Sequence, residues 1–228
     1  MQLKPNHQRA KTAQLLIAMV GVVYIMMLIS SYWQYGLLQD MKSGTVYSQE
    51  VLETNDLREQ FLAIVFLMLY ITSAVTFIMW FRRAYFNLHQ KINHLTHTEG
   101  WAAGSWFVPF INLYRPYQIM AELYNETAEL LAKRGFKRKV KLDTTFVGIW
   151  WFLWLVSNLL ANIVFRMSNS ATDIDQFLNF TALDMGSDVL GIILALITIK
   201  VIKTYANAES FLIQLKDEEE TSPVSEAV

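Results

Sequence analysis

Four apolar blocks, residues 13–33, 61–82, 144–165 and 189–206, decide what this chain can fold into. Each holds about 20 residues with its charges confined to the ends, enough helix to cross roughly 30 Å of hydrocarbon. Lipid offers the backbone no hydrogen-bond partner, so a segment that crosses it closes its bonds internally, as a helix does. The expectation is an all-α integral membrane protein built on a four-helix transmembrane bundle. Hydrophobic residues make up 54% of the 228 and charged residues 17%, with 14 Phe, 10 Tyr and 7 Trp. That balance is too apolar for an ordinary soluble domain. The chain has no cysteine, which excludes disulfides, thiolate metal sites and cysteine nucleophiles.

The segments between the blocks differ in charge. Residues 1–12 are basic, with Lys4, Arg9 and Lys11, and the block behind them is too long and too aromatic at its end for a cleaved signal. Residues 34–60 read as a polar loop, and 166–188 as a second, acidic one with Asp173, Asp175, Asp184 and Asp188. On this reading no Asp, Glu or His falls inside a span, which argues against a proton-coupled carrier. Residues 83–100 extend the second helix into water until Gly100, and 207–228 form an acidic tail expected to stay unfolded.

Of the 19 Lys and Arg, only Lys42, Arg58 and Arg166 lie on the side of the loops 34–60 and 166–188; the other 16 lie with the termini. The positive-inside rule then places both termini in the cytoplasm.

The stretch WAAGSWFVPFINLYRPYQIMAELY, residues 101–124, is apolar yet carries Pro109, Asn112, Arg115 and Pro116. A helix crossing lipid there would bury an arginine and lose two backbone donors. Residues 101–115 are therefore expected as an interfacial or re-entrant element. Pro116 opens an amphipathic helix over 116–134, with Tyr117, Met120, Ala121, Tyr124, Ala128 and Leu131 on one face and Gly135 at its end. A basic linker, 135–143, leads to the third span.

These motifs resemble a family of bacterial membrane proteins known as domain of unknown function 4328. The resemblance is carried by Trp80, Arg83, Ala84 and Asn87 at the end of span two. It continues through Gly100–Trp101–Ala102, then Trp106, Phe107, Pro109, Asn112, Leu113, Pro116 and Glu122, with Trp150, Trp151 and Ser157–Asn158 in span three. It covers roughly residues 60–205. It implies a multi-pass bacterial membrane protein with the central motif on the cytoplasmic side; with the charge count, the expectation is a bacterial cytoplasmic membrane protein, N-in and C-in. It implies no reaction.

The candidate contacts for a lipid head group or a partner are Arg83, Asn87, Trp106, Pro109, Asn112, Arg115, Pro116 and Glu122. In the functional reading the arginines hold an anionic head group and the asparagines orient it. In the structural reading, which weighs more, Arg83 pairs with Glu122 and Asn112 satisfies backbone left open by the prolines. Asn158 and Asn162, four apart, are expected to face into the bundle as interhelical partners. His89, His94 and His97 lack the convergent ligands zinc requires. No phosphate loop, nucleophile elbow or H-E-x-x-H helix is present, so neither a cofactor nor a catalytic group is expected. The expected partners are the bilayer, with anionic lipid at the basic run 133–141, and a protein partner or second copy, rather than nucleic acid. The role expected is a non-enzymatic interaction or regulatory module, with a small lipid or solute carrier as the rival.

Overall fold

The computed structural model describes residues 3–136 and 141–221, with side chains described through Leu212. Six α-helices account for most of it: α1 (His7–Lys42), α2 (Gln49–His89), α3 (Trp101–Gly104), α4 (Arg115–Lys133), α5 (Thr144–Ser170) and α6 (Ile174–Thr221), with a 3₁₀ turn at Ile111–Leu113. Among the described residues there is no strand. Four helices are long and apolar enough to cross a membrane: His7–Lys42, Gln49–His89, Thr144–Ser170 and Ile174–Leu212. Their outward residues are apolar as well: Leu15, Leu67, Phe152 and Leu196 are each more than half exposed. Water would disfavour such a surface and lipid would not.

Local chemistry sets the helix ends. Asp143 Oδ1 accepts from the Thr145 N–H at the start of α5, and Asp173 Oδ1 from the Gln176 N–H at the start of α6. Both are N-caps. Gly135, at φ 84°, ends α4, and the Phe136 N–H returns to the Leu131 carbonyl.

The long helices overrun the loops expected from charge. α1 continues to Lys42, α2 begins at Gln49, α5 reaches Ser170 and α6 begins at Ile174. Only 43–48 and 171–173 remain between them. At the other end α2 stops at His89, short of Gly100, and α6 carries part of the acidic tail; 222–228 lie outside the described residues.

The chain divides into two compact units. The first comprises 1–14, 74–149 and 199–228. Its core holds Phe77, Trp80, Phe81, Tyr85, Ile119, Met120, Leu123, Tyr124, Val201, Ile202 and Tyr205. α4 buries Pro116, Ile119, Met120, Leu123, Tyr124, Thr127 and Leu131. That stripe shares Met120, Tyr124 and Leu131 with the expected face but is centred on Leu123 and Thr127. Polar tips explain the rotation: the Tyr124 hydroxyl donates to the Val201 carbonyl at 2.6 Å, and the Thr127 and Tyr205 hydroxyls meet at 3.3 Å.

The second unit comprises 15–73 and 150–198. Its buried residues include Ile17, Val20, Val23, Leu62, Leu178 and Ala195. Tyr24 lies against Phe66, ring centres 4.8 Å apart, and covers Gly191 so closely that a Cβ there would come within 2.5 Å of the ring. Only glycine leaves that space. A Cβ on Gly21 would stand 3.4 Å from that of Ala195.

Candidate functional site

In the first unit the N-terminal segment, α2 and α6 meet at a buried polar anchor. Glu209 is 3% exposed, and Asn6 and Asn87 are each 1%. Asn6 Nδ2 donates to Glu209 Oε2 at 2.9 Å and Oε1 at 3.2 Å, and Asn87 Nδ2 donates to Oε1 at 2.7 Å. Asn87 also exchanges two bonds with the Lys4 backbone, at 3.0 and 2.8 Å. A carboxylate out of water costs several kcal/mol unless donors surround it. Here two amides supply them, and a stretch of chain ahead of α1 is thereby pinned to α2 and α6.

A second network joins α2 to α4. The Tyr85 hydroxyl donates to Glu122 Oε2 at 2.5 Å, and the Thr96 N–H to Oε1 at 2.7 Å. Burial alone would raise the Glu122 carboxyl; the bonds from Tyr85 and Thr96, with His97 beside it, outweigh burial and hold it below its ordinary value. The expected Arg83–Glu122 pair does not form. Tyr85, one residue beyond the Ala84 of the motif, takes that place because its hydroxyl reaches Glu122 from the buried face of α2. Among the described residues Arg83 forms no ion pair and feels the charges of Arg9, Arg82 and Glu209.

Tyr85 also reaches the His97 carbonyl at 3.2 Å, as His89 Nε2 does at 2.8 Å. The Arg115 guanidinium lies 3.3 Å from both nitrogens of the His97 ring and 5.6 Å from the ring centres of Trp101 and Tyr114. Its Nε is buried without a hydrogen-bond partner, and no carboxylate of the described residues pairs with it. Arg115 and Glu122 thus belong to one network through His97 and Tyr85, while Asn87 and Arg83 stand outside it. His94 meets Glu126 at the surface, 3.1 Å away. Among the described residues no three His, Asp or Glu converge as metal ligands.

Trp106 packs edge-on against Phe77, ring centres 5.7 Å apart. Phe77 lies five residues, about 7 Å of helix, before Arg82. Beyond Trp106, Phe107 and Phe110 are 75% and 82% exposed, with Pro109 exposed between them. Phe110 takes φ 63°, a conformation that L side chains rarely adopt. Backbone bonds close the turn, including Asn112 N–H to the Val108 carbonyl; the Asn112 side chain forms none with the described residues. Pro116 is buried in the first turn of α4, where its missing N–H costs nothing.

Asn158 and Asn162 do not face inward. Both are exposed, and the Asn158 amide donates to the Trp154 carbonyl of its own helix at 2.7 Å. A bond back to the helix removes the need for a neighbour. Of the basic run 133–141, residues 137–140 lie outside the described residues.

Sequence reasoning missed Asn6, Tyr85 and Glu209, and weighed His97 as a metal ligand. An acid flanked by Tyr205, Ala208, Phe211 and Leu212 was the signal for Glu209.

The described residues are helical, without strands, and four helices are long and apolar enough to cross a bilayer; that is the class the fold defines. The chain belongs to the family described as domain of unknown function (DUF4328), whose model matches residues 43–207. No curated protein and no solved structure matches it.

Proposed function

We propose that the chain is a non-enzymatic interaction module of a bacterial cytoplasmic membrane, N-in and C-in, whose 101–115 element dips beside α2 and takes an anionic lipid head group at Arg115. One observation carries this reading. Arg115 stands between two aromatic rings and a histidine, with no carboxylate among the described residues to neutralise it, next to a turn that exposes Phe107 and Phe110. A planar guanidinium suits a phosphate, and aromatic and apolar neighbours suit the zone where head groups meet acyl chains. The packing of Trp106 on Phe77 supports a re-entrant position, because it brings the turn level with apolar residues of α2 rather than with Arg82.

The test is native mass spectrometry of protein released from nanodiscs that mix anionic and zwitterionic phospholipid. The reading expects retained anionic lipid, reduced severalfold by Arg115→Gln and unchanged by Arg134→Gln. Equal retention of both lipid classes, or no effect of Arg115→Gln, contradicts it.

A carrier is the second reading. It is favoured by the two aspartates, Asp184 and Asp188, that lie within α6 rather than in a loop.

A further inference from the structure

The second unit buries more negative charge than it neutralises. Asp188 is 2% exposed, and its Oδ2 has no hydrogen-bond partner among the described residues. Asp184 stands one turn away on the same helix, and the carboxylates acting on Asp188 are those of Asp184 and Glu59. From α1 the titratable neighbour is Tyr24, which feels both aspartates. From α2 it is Glu59, held by Arg58 Nη2 at 3.2 Å and by the Ser30 hydroxyl at 2.6 Å. Arg58 is committed to Glu59, Asn55 and Ser30. Three carboxylates therefore share one guanidinium, and the most buried of them has an oxygen with no donor.

Register fixes the depth. Gly21 faces Ala195 and Tyr24 covers Gly191. Continued antiparallel, that register sets Asp188 beside Met27 and Leu28, about 8 Å of helix inside Trp33. This is within the apolar block of α1, not beyond its end. Buried Ser30, Ser31, Asn55 and Thr181 add polar groups to the same end of the unit. A cavity of about 480 Å³, lined by Trp33, Leu37, Thr54, Asn55 and Arg58 among others, opens beside the Arg58–Glu59 pair.

We propose that Asp188, with Asp184 and Glu59 around it, is a proton-binding site inside the membrane-spanning part of this unit, supplied from the cavity that Arg58 lines. A buried carboxylate that feels other negative charges is driven toward its neutral form, and an orphaned buried oxygen is what a proton satisfies. Among the described residues the three carboxylates do not converge as metal ligands do, which points to the proton rather than a metal ion. The inference uses the second unit alone, so it stands or falls apart from Arg115.

The test is dicyclohexylcarbodiimide modification of the full chain in nanodiscs, mapped by mass spectrometry across a pH series. The neutral carboxyl adds across one C=N bond of the reagent, its oxygen bonding the central carbon and its proton going to nitrogen, so an ionised carboxylate in an apolar site does not react. Modification at Asp188 should fall about tenfold per pH unit on the alkaline side. It should be the same in sodium and potassium, and absent from Asp188→Asn. Asp184→Asn should shift the profile to lower pH, because one neighbouring negative charge is gone. An Asp188 that is never modified, protection by sodium at constant pH, or a profile unmoved by Asp184→Asn would each overturn the proposal.

Discussion

Asn87 and Glu209 stand 122 positions apart in sequence and meet in a 2.7 Å hydrogen bond, the amide of α2 donating to the carboxylate of α6. The same amide holds the backbone of Lys4. One side chain of the family motif therefore fixes the N-terminal segment and the last helix together. Asn87→Ala leaves a buried carboxylate one donor short and should destabilise the protein by about 2–3 kcal/mol. Glu209→Gln keeps the shape, removes the charge and should cost less. Denaturant titration in a fixed detergent compares the two, and an Asn87→Ala variant within about 0.5 kcal/mol of the parent would contradict the anchor.

Glu122 makes the first unit sensitive to acid. Its carboxyl sits below the ordinary value of 4.5 in the folded chain, where bonds from Tyr85 and Thr96 outweigh burial. The stability it contributes is present above 4.5 and is lost as pH falls through the lowered folded value. Tyr85→Phe should cost about 1–2 kcal/mol at neutral pH and flatten that acid loss. Thermal melts over a pH series below neutrality read both effects, and parallel profiles for parent and variant would refute the assignment.

Gly191 and Tyr24 are coupled by space. A Cβ at 191 would stand 2.5–2.7 Å from the tyrosine ring, so Gly191→Ala should destabilise by about 1–3 kcal/mol. Combined with Tyr24→Leu, much of that cost should disappear. A double-mutant cycle showing simple additivity would mean that the ring moves aside at no cost.

Phe110 separates stability from membrane contact. At φ 63° its backbone suits glycine, so Phe110→Gly should stabilise the fold by about 1 kcal/mol. The same change removes an 82% exposed ring and should weaken retention of anionic lipid at the neighbouring Arg115. Opposite signs in a melt and in a lipid-retention assay are the expected outcome; a loss of both would make the ring a packing element.

The four long helices were legible in the sequence because charge-free apolar length has few other meanings. Helix ends were less so. The caps Asp143 and Asp173 each sit just before a run of helix. The acidic composition around Asp173 nonetheless reads as a loop, and that reading moved Asp184 and Asp188 out of the helix that holds them. Asn158 and Asn162 show a different limit: spacing puts two residues on one face of a helix, but only packing decides what that face meets. The partners of Asn87 and Glu122 were beyond reach for a third reason. Asn6, Glu209 and Tyr85 are brought to them by the fold, and nothing local to the motif names them.

The central claim is that the turn around Phe110 lies in the membrane on the side of the termini. The chain has no cysteine, so single cysteines report without background. The measurement is labelling of Phe110→Cys, Glu129→Cys and Thr45→Cys in sealed membranes with a membrane-impermeant maleimide. The account predicts that Glu129→Cys reacts only from the side of the termini and Thr45→Cys only from the other. Phe110→Cys should stay protected from both until the membrane is dissolved in detergent. Phe110→Cys labelled as fast as Glu129→Cys would put the turn in water and contradict the account.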